Sequence, residues 1–423
     1  MELAEHAIER ALLAGSLGAV VHLGADGARR AARAVSSSRQ GRLAGVPVLV
    51  KEIIEVQDMP HRCGSRVFAN RMGVHDATIV RRAREAGAVI IGLSHSHEFA
   101  YGCTGTSNRL GPCRHPDDPA RMTGGSSSGS AAAVAAGVVP LALGSDTAGS
   151  VRVPAALCGV VGVKPARGTL PLDGVFPLSP SLDHAGVLTR SVADARLAIE
   201  VLGGADLSGW SLSGPPTLGV LSNPEPGECA PTVADAYRAA VHRLAAAGAS
   251  LVDIALPNWP EMNETALDLQ GPEAHAIHAE SLTRQPGDYQ ADVLERLLAG
   301  ARVPPWRHTR ARAHASMIAA AVDELLHTVD AVVLPTVPIT APALDARLVG
   351  DTGRPRPVRE LLLRNTRPMN LTGHPALSLP LPTSGLPIGL QLVGAGDPRV
   401  LAAAEWVEQV VNDQVINDKE TSS

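Results

Sequence analysis

The chain has 423 residues, 45% hydrophobic and 19% charged, which is enough apolar material for a large buried core and argues against overall disorder. Aromatic residues make up only 2%, so Ala, Val, Leu and Gly must fill that core. A net charge of −5, with no basic stripe interleaved with aromatics, argues against a nucleic-acid partner, and no apolar run approaches the roughly 18 residues of a membrane-spanning helix.

The five cysteines are odd in number and form no CxxC pair, which fits a reduced, cytoplasmic protein better than a disulfide scaffold. The N-terminus is acidic where a signal peptide would carry a basic segment. The Arg29, Arg30 and Arg33 cluster reads as a solvated helix face.

In chain order, residues 2–15 read as an amphipathic helix, 19–23 as a short apolar stretch, and 24–40 as helix then loop. Residues 45–50 form an apolar β-branched run that ends on Lys51. A helix is expected over 76–87, with Asp76 as N-cap and Gly87 as its stop, then a buried strand over 88–93. Residues 102–130 are dense in Gly, Ser, Asn, Asp and Pro, and a loop of that length in a compact enzyme is usually functional. An Ala-rich helix follows at 130–137, strands at 138–144 and 159–164, and a helix at 191–202.

Residues 203–232, rich in Gly, Pro and Ser, read as a surface excursion. Helices are then expected at 232–247 and 309–328, and strands at 250–255, 331–334, 376–381 and 388–393. The alternation predicts an α/β architecture, a large twisted mixed β-sheet covered by helices on both faces. It also suggests a single domain over 1–411, with its core over 41–410 and a flexible polar tail at 412–423.

Three segments carry chemistry. GVPVLVKEIIEV places Lys51 at the end of an apolar strand. MTGGSSSGSAAAVAAG starts at Met122 and Thr123, passes Gly124 and Gly125, where backbone can approach closely, and leads three serines into a helix. A helix N-terminus presents free N–H groups to anions and oxyanions. LGSDTAGSVRVPAALCGVVGVKP runs from an apolar strand into Asp-Thr-Ala-Gly-Ser, whose amides could face a developing negative oxygen, and then into a turn ending at Pro154. Each segment alone is more often a linker, an anion cradle or a solvated lysine. A serine hydroxyl is a weak nucleophile at neutral pH and needs an adjacent base.

Together, Lys51, Ser126 after Gly124–Gly125, and Ser150 in DTAGSVRVP, separated by 75 and 24 residues, resemble the amidase signature family. DATIVRRAREAGAVIIGLSHSHEFAYG, NLTGHPALSLPL and GLPIGLQLVG extend the resemblance over about residues 41 to 410. It implies the amidase-signature fold and hydrolysis of a C–N amide bond, EC 3.5.1-like, in a small molecule. Ser150 would form an acyl-enzyme, Ser126, held by a cis peptide, would bridge it to Lys51, and Lys51 would act as base and then acid. Ammonia or an amine and a carboxylic acid would be released.

The resemblance also implies an oxyanion hole from Thr147, Ala148, Gly149 and the Ser150 amide. Ser127 would support the network, and Asp146 with Arg152 would shape the loop. Departures from the family's usual pattern are Ala148 for Gly, Ser128 for Gly and Glu52 for Asp.

Substrate contacts are expected from Met122, Thr123, Gly124, Gly125, Tyr101 and Phe176, within the variable segments 101–123, 172–184 and 270–310, the last of which holds Trp306. These residues suit a medium apolar or aryl acyl group. Ala148 in DTAGS resembles the urea-carboxylate-hydrolysing members of the family, and that resemblance equally implies a urea-like substrate. No cofactor and no metal are expected. His95, His97, Cys103, Cys113 and His115 fit no standard zinc spacing, and Glu98 reads as fixing its loop. The partner expected is a small amide, with no nucleic acid and no membrane, and a homodimer is left open. The alternatives are the ammonia-releasing component of a tRNA-dependent amidotransferase, a non-catalytic binding protein on the same fold, and an anion-binding module.

Overall fold

The computed structural model describes residues 1–38, 40–207, 209–223, 228–350 and 354–420. The chain opens with α1 (Glu2–Leu13), β1 (Val20–Leu23) and α2 (Ala25–Ser38), then β2 (Pro47–Lys51), α3 (Thr78–Glu85) and β3 (Val89–Ser94). The segment that carries the serines contributes α4 (Ser128–Ala135), β4 (Leu141–Asp146), α5 (Arg152–Cys158), β5 (Val161–Lys164) and β6 (His184–Thr189). The second half holds α6 (Val192–Gly203), β7 (Thr217–Leu221), α7 (Pro231–Ala246), β8 (Ser250–Ile254), α8 (Trp259–Arg284), α9 (Ala291–Gly300), α10 (Pro305–Leu326) and β9 (Ala331–Pro335). It closes with the small ladder β10 (Leu348–Val349) and β11 (Arg356–Pro357), then α11 (Val358–Arg364), α12 (Arg367–Thr372), β12 (Ala376–Leu381), β13 (Ile388–Val393) and α13 (Asp397–Glu420).

Among the described residues, eleven strands form one mixed sheet in the order β1-β3-β2-β4-β6-β5-β12-β13-β9-β7-β8. β2 runs parallel to both β3 and β4, and β7 parallel to both β8 and β9, while the other pairs are antiparallel. Side chains alternate across a strand, and here both directions lead into packed interior. Val48, Val50 and Ile90 belong to one apolar cluster with α3 and α6. Leu49, Val89 and Ile91 belong to another with α1, α2 and α4. This is why the β2 and β3 sequences are continuously apolar rather than alternating. A third cluster packs α8 and α10 against β9. Alanine does much of the filling: Ala131, Ala132 and Ala133 of α4 have no exposed surface, which lets that helix lie close on the sheet.

The expected strands and helices recur, with several differences. Asp76 does not cap α3, whose N-cap is Ala77. Its carboxylate instead accepts from the Gln57 N–H (2.9 Å) and pairs with Arg84 (2.9 Å). The segment ending at Pro154 is the helix α5, with Pro154 in its first turn, where a missing N–H costs nothing. The excursion at 203–232 contains β7, which joins the sheet beside β8 and β9. The segment from 412 continues α13 in helical backbone to Glu420, and residues 421–423 lie outside those described.

The topology fixes the site. β2 and β4 are parallel neighbours with Val50 opposite Leu143, so their C-terminal ends lie side by side. Lys51 closes one strand and Asp146 the other. Crevices beyond the carboxyl ends of parallel strands are where open α/β sheets place ligand chemistry.

Candidate active site

Lys51 has no exposed surface. Its Nζ lies 2.7 Å from Ser126 Oγ and 2.9 Å from Ser145 Oγ. Burial pushes its pKa down to about 7, against the opposing pull of Asp146, Asp183 and Glu52. An amine in this state can take up and return a proton near neutral pH. Glu52, the next residue, is turned away from the amine. It accepts from the Ser96 N–H (3.1 Å) and from Asn108 Nδ2.

Ser126 follows a cis Gly125–Ser126 peptide bond. Its carbonyl accepts from the His97 N–H at 3.1 Å. Gly125 is required by close approach: a Cβ there would come within 3.0 Å of Gly105 N. Ser127 ties the two serine loops together. Its N–H donates to the Ser150 carbonyl (3.0 Å), and its hydroxyl donates to the Ser145 carbonyl (3.2 Å). Ser150 is 5% exposed, whereas Ser126 has no exposed surface.

The loop before Ser150 is wound around one carboxylate. Asp146 accepts from the N–H groups of Gly149 (2.8 Å) and Val151 (3.0 Å) and pairs with Arg152 at 2.8 Å. Both charges of that pair are fully buried. Burial alone would raise the Asp146 pKa, but the Arg152 guanidinium and the Asn370 amide hold it well below the usual carboxylate range. Arg152 is satisfied further by the Thr366 carbonyl, Gln391 Oε1 and Asn370 Oδ1. A buried pair with this many extra hydrogen bonds shapes a loop and is poorly suited to moving protons.

This geometry corrects one expectation. The Gly149 N–H is committed to Asp146, so it does not point free into the site. The Ala148 and Ser150 N–H groups have no hydrogen-bond partner among the described residues. Thr366 Oγ1 donates to the Ala148 carbonyl at 2.7 Å and fixes the orientation of the peptide that Ala148 shares with Gly149. The Thr147 hydroxyl donates to Asp183 (2.6 Å), whose pKa burial raises to about 6.

Ser145, Thr366, Asn370 and Asp183 were not singled out in the sequence. Ser145 stands one residue before Asp146 in LGSDTAGS, and its proximity to Lys51 follows only from the β2–β4 pairing.

The expected substrate contacts divide. Met122 and Thr123 have no exposed surface, and Met122 belongs to the main apolar cluster. A Cβ at Gly124 would come within 3.0 Å of Leu157 and 3.2 Å of Pro154. Phe176 stacks edge-on against Phe68 (5.4 Å) and close to Phe99 (5.3 Å) and His278 (5.6 Å). Trp306 is 60% exposed on α10, under the Arg310 guanidinium. Tyr101 lies within 5.5 Å of the Arg296 guanidinium and 5.9 Å of that of Arg359.

The His and Cys residues weighed as metal ligands are engaged separately. His95 bonds the Gly111 carbonyl, His97 pairs with Asp292, His115 bonds the Leu157 carbonyl, and the Cys103 thiol faces the Arg359 carbonyl. Glu98 accepts from the Ser65 hydroxyl and the Gln290 N–H, and burial raises its pKa to about 7.

A family profile described as amidase matches residues 2–397. The chain is 34% identical to the AtzE subunit of 1-carboxybiuret hydrolase from Pseudomonas sp. (strain ADP), over 84% of this chain and 80% of that one. It is 34% identical to a subunit of the glutamyl-tRNA(Gln) amidotransferase of Symbiobacterium thermophilum, over 97% and 93%. Among solved structures, one described as an amidase superposes with a TM-score of 0.92 at 37% identity, covering 97% of this chain and 95% of the other. A 6-aminohexanoate cyclic dimer hydrolase in complex with substrate superposes at 0.86 and 27% identity, covering 97% and 93%. The chain belongs to the amidase signature family and is an amidase-type C–N hydrolase.

Proposed function

We propose that the protein hydrolyses the amide bond of a small molecule through a Ser150 acyl-enzyme, with Ser126 and Lys51 as its proton path. The observation that carries the reading is the buried Lys51 amine within 2.7 Å of Ser126 Oγ, with its pKa pushed down to about 7. Neutral Lys51 takes the Ser126 proton as Ser126 takes that of Ser150. The Ser150 Oγ then adds to the carbonyl carbon. The negative oxygen that forms is met by the Ala148 and Ser150 N–H groups, beside Thr147. The proton returns through Ser126 to the leaving nitrogen, the C–N bond breaks, and ammonia or an amine departs. Water then adds to the acyl carbon, its proton taken by the same path, and the carboxylic acid leaves as Ser150 regains its hydrogen.

The test is ammonia release from a panel of simple linear and cyclic amides, with Lys51→Ala as control. Turnover by wild type that falls by orders of magnitude in the variant supports the reading. Equal turnover by both contradicts it.

A second reading has a specific observation behind it, the 34% identity to a component of a tRNA-dependent amidotransferase over 97% of the chain. In that role the protein would release ammonia from glutamine and hand it to a partner. Glutamine hydrolysis that rises when candidate partner proteins are added favours this reading. Hydrolysis of other amides by the chain alone favours the first.

A further inference from the structure

The loop that carries Ser150 is anchored from two sides. On one side Asp146 accepts from the Gly149 and Val151 N–H groups, and Thr366 donates to the Ala148 carbonyl. On the other side stands a second carboxylate. Asp146 is opposite His184 in the β4–β6 ladder, so Thr147, one residue on, comes level with Asp183, one residue back. The Thr147 hydroxyl donates to Asp183 Oδ1 at 2.6 Å.

Asp183 is itself held in place. Its Oδ2 accepts from the Leu178 N–H (2.9 Å) and the Ser179 N–H (3.0 Å). The same turn is gripped from α8 by Glu273, which accepts from the Ser179 hydroxyl (2.7 Å), the Ser181 N–H (3.1 Å) and the Ser181 hydroxyl. The carboxylate therefore cannot swing away from Thr147 without leaving two backbone N–H groups unpaired.

The titratable and charged groups around Asp183 are Lys51 at the end of β2, Glu273 on α8, Asp146 on β4, and Arg167 and His184, which line with it a cavity of about 200 Å³. Asp146 is neutralised by Arg152, burial keeps His184 uncharged, and Arg167 donates to the Asn370 and Leu371 carbonyls. All three donors to Asp183 are uncharged, and among the described residues no cation stands in ion-pair contact with it. Its charge acts at longer range on Lys51, where it favours the ammonium form against burial.

We propose that Asp183 is a positioning residue for the hydrolytic reaction: its ionised carboxylate fixes Thr147, and through it the Ala148 and Ser150 N–H groups that meet the developing negative oxygen, and it sets part of the field at the Lys51 amine. This rests on the Ser150 acyl-enzyme reading and adds to it a residue that touches neither the substrate nor the two serines. Burial pushes the Asp183 pKa up to about 6, against the pull of its three donors. Above that pH the anion accepts charge-assisted hydrogen bonds. Below it, protonation removes the charge that makes them strong. Asp183 is 9% exposed, so it can exchange its proton with water.

The experiment is the rate of Ser150 labelling by a fluorophosphonate probe, followed by intact-protein mass spectrometry from about pH 5 to 9. It compares wild type with Asp183→Asn, Thr147→Val and Thr147→Ser. Asp183→Asn should label about 10- to 100-fold more slowly on the plateau, the value of a lost charge-assisted hydrogen bond. Its pH limb should move to lower pH, because Lys51 loses an anion that favours its charged form. A merely structural role would lower thermal stability and leave the limb in place. Thr147→Val should slow labelling about 10-fold, and Thr147→Ser, which keeps the hydroxyl, should restore most of the rate. This pair decides the matter where Asp183→Asn does not fold. Labelling of Asp183→Asn at the wild-type rate or with an unmoved limb, or equal rates for Thr147→Val and Thr147→Ser, overturns the proposal. Failure of the acyl-enzyme reading would appear separately, as wild type that gives no Ser150 adduct at any pH.

Discussion

Lys51 Nζ and Ser126 Oγ lie 2.7 Å apart with neither side chain exposed to solvent. The distance matters because burial has already moved the lysine's protonation equilibrium to about 7. Below that pH the amine is charged and cannot accept the serine proton. Above it, the amine is neutral and can. The rate should therefore rise with pH along a limb centred near 7 and level off above it, read as kcat/KM against pH. A rate that is flat from about pH 5 to 9 would remove Lys51 as the base.

Ser145 is predicted to be a positioning residue through its 2.9 Å contact with Lys51. Ser145→Ala should lower kcat by about 10-fold, the value of one net hydrogen bond. It should also move the pH limb to lower pH, because an acceptor for the ammonium form is lost. A merely structural role would change thermal stability and leave the limb in place.

The Asp146–Arg152 pair has 0% exposure on both side chains. Asp146→Ala would leave the guanidinium buried without its counter-ion, at a cost of about 3–5 kcal/mol. It would also free the Gly149 and Val151 amides that shape the loop. Urea unfolding should show the loss, accompanied by loss of activity. An unchanged midpoint would mean that Asn370, Gln391 and the Thr366 carbonyl hold Arg152 without it.

Gly149 has φ +129°, and a Cβ there would fall 2.1 Å from Thr366 Oγ1. Gly149→Ala should therefore cost roughly 1–3 kcal/mol in backbone strain. It should also displace the Ala148 peptide and lower kcat more than it raises KM. Thr366→Val removes the bond to the Ala148 carbonyl without adding a methyl to the loop. It should lower kcat in the same direction by a smaller factor, measured on the same substrate.

How far the sequence reached can be traced residue by residue. Lys51, Ser126 and Ser150 could be picked out because each sits in a compact motif of its own, at the end of an apolar strand or in a Gly/Ser loop. β2, β3 and β9 were legible because a strand buried on both faces is written as a nearly continuous apolar run. β6 was not, since HAGVLT mixes polar and small residues, and β7 was hidden inside a Gly/Pro-rich stretch. Thr366, Asn370 and Gln391 act on Asp146 and Arg152 from more than 200 residues away in sequence. Nothing in their neighbourhoods announces that role, which exists only once β12 and β13 are laid into the sheet. The commitment of the Gly149 amide was invisible for a related reason: it depends on which way one carboxylate turns.

Ser150 as the activated nucleophile is tested most directly by intact-protein mass spectrometry after exposure to a fluorophosphonate probe, on wild type and on Ser150→Ala. A single adduct on wild type and none on the variant is the predicted result. An adduct that persists in Ser150→Ala, or none on wild type under conditions that label another serine hydrolase, would contradict it.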